Sequence, residues 1–461
     1  MPDHRFNRFS QRRKCLQWPL GLGATAVAGS VAWGQVHREE SLDAAIKQAY
    51  VYAFAVHDLA RVRWRATAVG SGVGRLPVNT LGHARQLLTA RDRGVTRPNN
   101  DTLYSSAWLD LSAGPVLLSL PAFAERYWSL ACMDPFTDNE ACLSRRTSGG
   151  SARTLWIASQ RWSGEPPAGA EPLRLPCDDV WMLARILVDG PDDLPAVRAL
   201  QDAMRLRAPQ VSRPWITRPD EQDPQRFLAF VNEALGRNPV LARDTELLDR
   251  LKFVGLSPGE SDSWSRLDAP VQSAWQRLLP VLRQSLQTPD PAYRRLIGPG
   301  WMSGLDHIGR FGGDHAYRAR IALGGLGALP REEAIYASAY IDGHGARLSG
   351  SASYRLRVPA DLPVSGFWSL SMYQDMPDGR AFFVENPTQR YTVGDRTPGL
   401  RRDTDGSVTI VLQALAPALR SERSNWLPAP EGLFSLSWRL YEPGLALLER
   451  RYVLPGVERV A

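Results

Sequence analysis

The sequence predicts a mainly β protein with α insertions, an α+β fold of two β-sandwich domains with a helical segment between them. Two stretches, residues 95–188 and 336–441, are made of short alternating or wholly apolar runs that Pro, Gly, Asp and Asn divide. This pattern is typical of antiparallel strands. Between these stretches apolar residues recur at helical spacing, and a length of 461 residues allows two or three domains.

The elements follow in a regular order along the chain. An amphipathic helix is predicted from Glu39 to about Thr67, before a Gly-rich bend at 70–74. Strands are predicted at 103–111, 115–120, 127–133, 154–158 and 180–188, helices at 192–207, 225–235, 244–253 and 270–287, and strands at 336–342, 353–358, 366–373, 407–412 and 434–441. We therefore divide the chain into a leader (1–34), an N-terminal helix with a β domain (35–215), a helical segment and connector (216–330) and a C-terminal β-sandwich (331–461).

The first 34 residues have the three parts of an export signal of the twin-arginine type. A basic region contains Arg12 and Arg13, a mildly apolar stretch runs from Trp18 to Trp33, and Ala32-Trp33-Gly34 resembles a cleavage site. The apolar stretch holds several glycines and is too short for a spanning helix. We expect export to the periplasm or outside the cell, and no transmembrane segment after removal of the leader; an uncleaved anchor or a basic tail is the alternative.

The basic charge of the chain lies mostly in this leader. Five basic residues against Asp3 place +4 of the formal net charge of +7 in residues 1–34 and leave +3 for the rest. The remaining arginines are scattered, and nucleic-acid binding needs a clustered basic face. We therefore expect no nucleic-acid partner.

Three cysteines follow the leader, in a compartment that permits disulfides. Cys132 and Cys142 flank a predicted hairpin turn around 135–139, and Cys177 stands apart. Either the first two form a bridge or all three remain thiols. No pair has the CxxC spacing of a zinc or redox site.

Most familiar catalytic motifs are missing from the sequence. The Gly-rich stretches at 70–74 and 149–153 do not match the GxSxG elbow, and the sequence contains no HExxH, no Walker lysine and no GxGxxG. This excludes the usual zincin and nucleotide-binding signatures, and we expect no cofactor.

Polar and aromatic residues are concentrated in two segments that precede or end strands. In residues 97–105, Asp101 and Tyr104 either belong to a turn or point into a cavity as acid/base and hydrogen-bonding groups. Asp134 ends a strand in the same way. Glu333 precedes a strand, where a buried carboxylate needs a partner such as Arg318 or a titrating role.

Three Asp/His neighbours raise the question of a metal site. His307, His315 and His344 each lie near an aspartate in sequence, Asp306, Asp314 and Asp342 respectively. These are residue types that bind divalent metals, but nothing in the sequence makes them converge, so we assign no metal ligand and leave the roles of these histidines open.

Several of these segments resemble the paired bacterial domain-of-unknown-function families 1254 (N-terminal) and 1214 (C-terminal). The resemblance rests on residues 97–105, 109–111, 127–130, 133–134, 137–139, 324–328, 332–336, 366–370, 385–387, 390–391, 425–430 and 439–441. It implies two β-sandwich or jelly-roll-like domains with packed helices, a cavity to which both domains contribute, and export. His315 departs from the aromatic residue that we expect after Asp314.

Two functions remain open at this point. One is an exported hydrolase or lyase that acts on a small or carbohydrate-like molecule in the interdomain cavity, with Asp101 and Glu333 as acid/base carboxylates. Its substrate-binding residues would be Tyr104, Asp134, Asp314, Arg318, Tyr336, Asn386 and Arg390. The other is a non-catalytic envelope protein that binds a ligand or partner through the aromatic residues of the last domain. A homo-oligomer is compatible with both.

Overall fold

The computed structural model describes residues 25–67, 75–210 and 213–460, with side chains from residue 41 onward. It contains two pairs of packed β-sheets and a group of helices, which confirms the α+β, mainly β prediction. The first 24 residues of the predicted leader and the bend at 70–74 lie outside the described residues. Residues 25–34, with the predicted cleavage site, form the start of the first helix.

The helices of the chain differ widely in length. They are α1 (Thr25–Thr67), α2 (Arg145–Ser148), α3 (Leu194–Ala203), α4 (Pro224–Gly236), α5 (Thr245–Leu251), α6 (Ala269–Gln287), α7 (His315–Gly325) and α8 (Leu445–Leu448). Among the described residues, none of these helices is both long and apolar enough to cross a bilayer.

Helix α1 packs on α4, α6 and α7 and not only on the β domain that follows it in sequence. Tyr50 of α1 stacks on Phe227 of α4 with the ring centroids 5.4 Å apart, and both belong to a buried apolar core with Trp275 of α6. Helix α4 begins at a sequence signal, because the side chain of Asp223 accepts a hydrogen bond from Arg226 N. The domain boundaries at 35, 216 and 331 remain predictions.

The N-terminal β domain consists of two sheets. Its strands are β1 (Gly82–His83), β2 (Thr102–Asp110), β3 (Val116–Leu120), β4 (Trp128–Met133), β5 (Asn139–Ser144), β6 (Arg153–Ser159), β7 (Glu171–Leu175), β8 (Asp179–Leu187) and β9 (Arg205–Arg207). One sheet has the order β1-β2-β8-β4-β5 and the other β7-β6-β3-β9. Apolar side chains from both sheets form one buried core between them.

Cys132 and Cys142 lie on the paired strands β4 and β5, and the pairing separates them. Cys132 is opposite Ala141, and Cys142 is opposite Ala131. Because side chains alternate between the two faces of a sheet, this offset of one residue places the two sulfurs on opposite faces. Cys132, Cys142 and Cys177 are all free thiols, so the hypothesis of a Cys132–Cys142 bridge is wrong.

The C-terminal domain repeats the two-sheet arrangement. Its strands are β10 (Arg295–Gly298), β11 (Trp301–Ser303), β12 (Ala334–Ala339), β13 (Ser353–Val358), β14 (Val364–Asp375), β15 (Ala381–Phe382), β16 (Thr392–Gly394), β17 (Val408–Gln413), β18 (Trp426–Pro428), β19 (Phe434–Pro443) and β20 (Glu458–Val460). The larger sheet has the order β10-β11-β12-β19-β14-β15, with β16 also paired to β14, and the smaller sheet is β18-β17-β13-β20. Trp301, Trp438 and Tyr354 belong to the core of this sandwich.

The stretch before the last domain contains elements that the sequence pattern did not predict. Strands β10 and β11 extend the larger C-terminal sheet at its edge, and helix α7 follows a Gly-rich loop. The side chain of Asp314 starts α7 by accepting a hydrogen bond from Tyr317 N at 3.0 Å. Because glycines precede this helix, the sequence pattern there is typical of a loop and does not predict where the helix begins.

Candidate functional site between the two β domains

The two larger sheets face each other through their outer surfaces. The sheet of β2, β8 and β4 contributes Tyr127, Leu183 and Leu187, and the sheet of β12, β14 and β19 contributes Phe367 and Tyr441 to one buried cluster. We call this contact region, with the polar residues around it, the seam. Both domains contribute side chains to this region, which is a packed contact lined by aromatic and charged groups. The cavity expected between the two domains stays a prediction.

Alternation along the strands explains which residues reach the seam. In β19, Trp438 and Leu440 point into the C-terminal sandwich core, so Arg439 and Tyr441 point the other way. Tyr336 is opposite Arg439 in the β12–β19 pairing. On the N-terminal side, Tyr104 is opposite Arg185 in the β2–β8 pairing.

Arg185 is the most unusual residue of the seam. Its side chain is buried, with the residue 5% exposed, and its Nη2 donates a 2.7 Å hydrogen bond to Gly327 O. Its Nη1 has no hydrogen-bond partner. The guanidinium carbon lies 5.2 Å from the centroid of the Tyr104 ring. Within the described parts of the chain, no carboxylate oxygen lies within 4.0 Å of this group.

Arg439 is the second buried cation of the seam and is better satisfied. Its guanidinium donates hydrogen bonds of 2.7 Å to Ser371 Oγ and to Tyr373 Oη, and others of 3.2 Å to the carbonyl oxygens of Arg97 and Pro98. None of these acceptors is a carboxylate. Asp101 influences Arg439 electrostatically without forming an ion pair with it among the described residues.

The phenol groups of Tyr104, Tyr336 and Tyr441 interact electrostatically with Arg185. Burial raises the pKa of Tyr336, and Arg185 and then Arg439 oppose that rise. Burial also raises the pKa of Tyr441 well above its ordinary value, and the Tyr441 hydroxyl accepts a 3.0 Å hydrogen bond from Asn99 Nδ2. The hydroxyls of Tyr336 and Tyr441 are therefore neutral near pH 7 and can donate a hydrogen bond. Tyr104 and Tyr336 are only half-buried, so the seam reaches the surface near them.

Asp101, one of the predicted catalytic carboxylates, lies at the seam. It is 4% exposed, and its Oδ2 accepts a 2.6 Å hydrogen bond from Ser369 Oγ of β14. Its backbone N–H donates to Asn99 Oδ1 at 2.6 Å, as the turn interpretation of residues 97–105 requires. Asp101 thus joins the two domains, and its catalytic role stays a prediction.

Glu333 is buried at another point of the interdomain contact. It is fully buried, and its Oε2 accepts hydrogen bonds from Ser144 Oγ at 2.8 Å and Arg146 Nε at 3.2 Å. Its Oε1 has no partner among the described atoms. Burial raises the pKa of Glu333, and Ser144, Tyr127 and Arg146 partly offset that rise. The expectation that Arg318 is its partner is wrong.

Arg318 instead belongs to a cluster outside the seam. It is fully buried and contacts Asp138 Oδ2 at 3.3 Å and the ring of Phe136 at 5.2 Å. Asp134 lies beside it and closes the turn at 134–138 by accepting hydrogen bonds from Phe136 N and Asp138 N. Asp314 caps α7 and contacts His307 Nε2 at 3.0 Å.

This cluster also contains the group of carboxylates best placed for a metal ion. One oxygen each from Asp134, Asp138 and Glu140 lie within 4.8 Å of one another. Asp138, however, already accepts hydrogen bonds from Phe311 N, Arg243 and Arg318. Its lone pairs are engaged by cationic and amide donors, so the group does not fit a metal site and we assign none.

Asn386 and Arg390 make their hydrogen bonds inside the C-terminal domain. Asn386 closes a loop by accepting from Arg390 N and donating to Arg390 O, while Arg390 Nη1 donates to the carbonyls of Arg423, Ser424 and Trp426. These contacts give both residues a role in loop closure, and their role in substrate binding remains a prediction. His344 forms part of an exposed turn, where its N–H donates to Asp342 Oδ1.

Arg185 and Arg439 are not among the predicted site residues, and Tyr441 was expected only as one of the aromatic residues of the last domain. A usable signal was present for Arg185, because it interrupts the apolar run at 180–187. Arginine is almost never fully buried unless it is paired. An arginine in such a run therefore indicates a special environment.

The two β domains match two known families. Residues 78–208 match the family described as Protein of unknown function (DUF1254), and residues 333–445 match Protein of unknown function (DUF1214). No protein among the curated sequences matches the chain.

Two crystal structures are similar to the chain. The VPA0106 protein from Vibrio parahaemolyticus is 26% identical, with a TM-score of 0.69 over 91% of this chain and 100% of that one. An uncharacterized protein from Burkholderia cenocepacia is 13% identical, with a TM-score of 0.46 over 94% of this chain and 97% of that one. Together with the two family matches, the motifs identify this chain as a member of the proteins that join a DUF1254 domain to a DUF1214 domain.

Proposed function

We propose that the protein binds a small anionic molecule at the seam between its two β domains. The observation that carries this proposal is the burial of Arg185 without a carboxylate partner. Taking a charge out of water is costly unless an opposite charge and hydrogen bonds compensate it. A ligand carboxylate or phosphate supplies both.

The surroundings of Arg185 favour the same class of ligand. The hydroxyls of Tyr104 and Tyr336 lie beside the guanidinium, and Arg439 adds a second positive charge. Arginine can hold a carboxylate or phosphate with two parallel hydrogen bonds. Tyr104 and Tyr336 are partly exposed, and the aromatic rings around them suit a carbohydrate-like body that carries an acidic group.

The proposal is tested by differential scanning calorimetry with glucuronate, acetate and inorganic phosphate. Methyl glucoside serves as a neutral carbohydrate control. A ligand at 100 times its Kd stabilises the folded state by about 2.7 kcal/mol, so we expect at least one anion to raise Tm while methyl glucoside does not. Arg185→Gln should abolish that rise.

Arg347→Gln is the matched control, because its side chain is 51% exposed. This variant should respond to the anions as the wild type does. If no anion raises Tm, or if Arg185→Gln responds like the wild type, the proposal is wrong.

A second candidate function, acid/base catalysis in a hydrolase or lyase, is favoured by one feature of Glu333. Its buried Oε1 has no partner and its pKa is raised, as in carboxyls that act as general acids. An unbiased metabolite-turnover screen with Glu333→Gln tests this function. Equal product profiles for both proteins would remove Glu333 from any mechanism.

We also propose that the protein is exported to the periplasm or secreted, on the basis of the leader sequence. Cell fractionation of the full chain and of an Arg12→Lys/Arg13→Lys variant tests this. Accumulation of the unprocessed double variant inside the cell is expected, and equal distribution of both proteins would contradict the twin-arginine route.

A further inference from the structure

A row of polar side chains crosses the N-terminal face of the seam and leads from Arg185 to Glu333. Arg185 is opposite Ser129 in the β4–β8 pairing, and Ser129 is opposite Ser144 in the β4–β5 pairing. Residues directly opposite each other in paired strands lie on the same face of a sheet. Ser144 Oγ then donates a 2.8 Å hydrogen bond to Glu333 of the other domain. The row therefore connects the buried cation of the seam with its buried carboxylate.

Several polar atoms along this row have no hydrogen-bond partner. In the part of the chain that the structure describes, the buried atoms without one include Arg185 Nη1, Ser129 Oγ, Tyr127 Oη and Glu333 Oε1. Buried polar groups of folded proteins are nearly always hydrogen-bonded to protein or to ordered water. The row therefore keeps a free donor at Arg185 and a free acceptor at Glu333.

Charges at the two ends of the row are close enough to influence each other. Ser144 lies two strands away from Arg185, and neighbouring strands are about 4.8 Å apart, so about 10 Å separates Glu333 from a group bound at Arg185. The cluster around them is largely apolar, and buried charges are screened much less than exposed ones. The Cys142 thiol senses both groups: burial and Glu333 raise its pKa to about 12, against the opposing effect of Arg185.

Few charges face Glu333 from the elements that pack against it. Among the described residues, Arg146 of α2 is the one cation in contact with Glu333, and 38% of the Arg146 side chain is exposed. The nearby carboxylate of Glu442 in β19 is already paired with Arg145. Burial raises the pKa of each remaining titratable group around Glu333 and Tyr127, which keeps these groups neutral near pH 7: Tyr127, Cys142, Tyr336 and Tyr441. Glu333 is therefore the group whose charge changes here in mildly acid solution.

We infer that the anion site at Arg185 is coupled to Glu333, so that the protein holds the anion together with one proton on Glu333. This inference rests on the anion site proposed above. An anion at Arg185 repels the ionised carboxylate of Glu333, whereas the carboxylic acid has no charge to oppose it. Over about 10 Å, with an effective dielectric constant of about 20, Coulomb's law gives about 15-fold tighter binding to the protonated form. The proton comes from the solvent and returns to it when the anion leaves.

The direction of the pH dependence follows from this coupling. Burial raises the pKa of Glu333 above its ordinary value of 4.5, and a bound anion raises it further. The Kd of the anion should therefore increase as pH rises through the pKa of Glu333, by about 15-fold in total, and stay constant at higher pH.

Isothermal titration calorimetry of the full chain with glucuronate measures both the Kd and the proton. The carboxylate of glucuronate is ionised throughout the range from pH 5 to pH 8.5, so its own titration does not contribute. Titrations in two buffers of different ionisation enthalpy give the number of protons taken up. We expect a Kd about 15-fold higher at the alkaline end and net proton uptake in between. A constant Kd without proton uptake would overturn the coupling and leave the anion site, whereas no binding at any pH would overturn both.

Variants assign the proton to Glu333. Glu333→Gln keeps the shape of the side chain without its titration, so its Kd for glucuronate should lack the pH dependence, whereas Glu332→Gln, at a neighbouring side chain that is 49% exposed, should keep it. Arg146→Gln removes the cation that lowers the pKa of Glu333 and should move the change in Kd to higher pH, which keeps the test decisive if Glu333→Gln fails to fold. Wild-type pH dependence in Glu333→Gln, or an unmoved midpoint in Arg146→Gln, would contradict the coupling.

Discussion

The buried histidine of helix α1 makes the stability of the protein depend on pH in a way that can be calculated. His57 is 1% exposed and lies between the rings of Phe227 and Phe230, with centroid distances of 5.0 and 5.5 Å. Its Nε2 has no partner among the described residues. Burial, with Arg61 and Arg283, lowers the pKa of His57 from 6.5 to about 3.

The sign of the effect follows from proton binding. Between pH 6.5 and about 3 the unfolded chain holds a proton on His57 that the folded chain does not, so the free energy of unfolding falls as pH falls. From pH 7 to pH 5 this loss amounts to about 2 kcal/mol for His57 alone. This value of about 2 kcal/mol holds for any pKa of His57 in the folded state that is below about 4.

Urea unfolding at pH 7 and pH 5 measures this term. We expect His57→Gln to lose about 2 kcal/mol less than the wild type between these pH values. His83 and His315 also have lowered pKa values, but they titrate equally in both proteins. His344→Gln, at an exposed turn, should behave like the wild type. Equal pH dependence of the wild type and His57→Gln would refute the reasoning.

Three further predictions concern the seam and the thiols. Ser369→Ala removes the 2.6 Å hydrogen bond to Asp101 and should cost about 1.5–3 kcal/mol in urea unfolding, while the exposed Ser421→Ala should change stability by less than about 0.5 kcal/mol. Folding raises the pKa of Glu333, so the free energy of unfolding should fall as pH rises above 4.5, and Glu333→Gln should lack this fall. If the free energy of unfolding of the wild type instead rises relative to that of Glu333→Gln over this pH range, the prediction is wrong. Residues 35–461, denatured without a reducing agent, should contain three titratable thiols. A count of one thiol would indicate a disulfide bridge.

Ten of the described strands were predictable because their signal is local, whereas β1, β5, β7, β9, β15, β16, β18 and β20 were not predicted. In β2, β8, β14 and β19 the predicted and observed bounds differ by a few residues, since apolar runs and turn residues mark each strand where it occurs. The need of a buried Glu333 for a polar partner was also foreseen. The identity of that partner was not, because Ser144 and Arg146 are almost 190 residues away in sequence.

Helix α7 and strands β10 and β11 were missed for a different reason. The glycines before α7 indicate a loop, and the short strands β10 and β11 gain their hydrogen bonds only from the edge of the C-terminal sheet. Tertiary context decides the structure of such short segments.

Local sequence patterns predict the α+β composition, the two β domains and which side chains of the longer strands share a face. They do not predict that the outer faces of the two larger sheets meet, or that Arg185, Arg439 and Tyr441 lie between them. The reason is physical. A period of two residues fixes which side of a sheet a residue occupies, but contacts between residues hundreds of positions apart decide what covers that side.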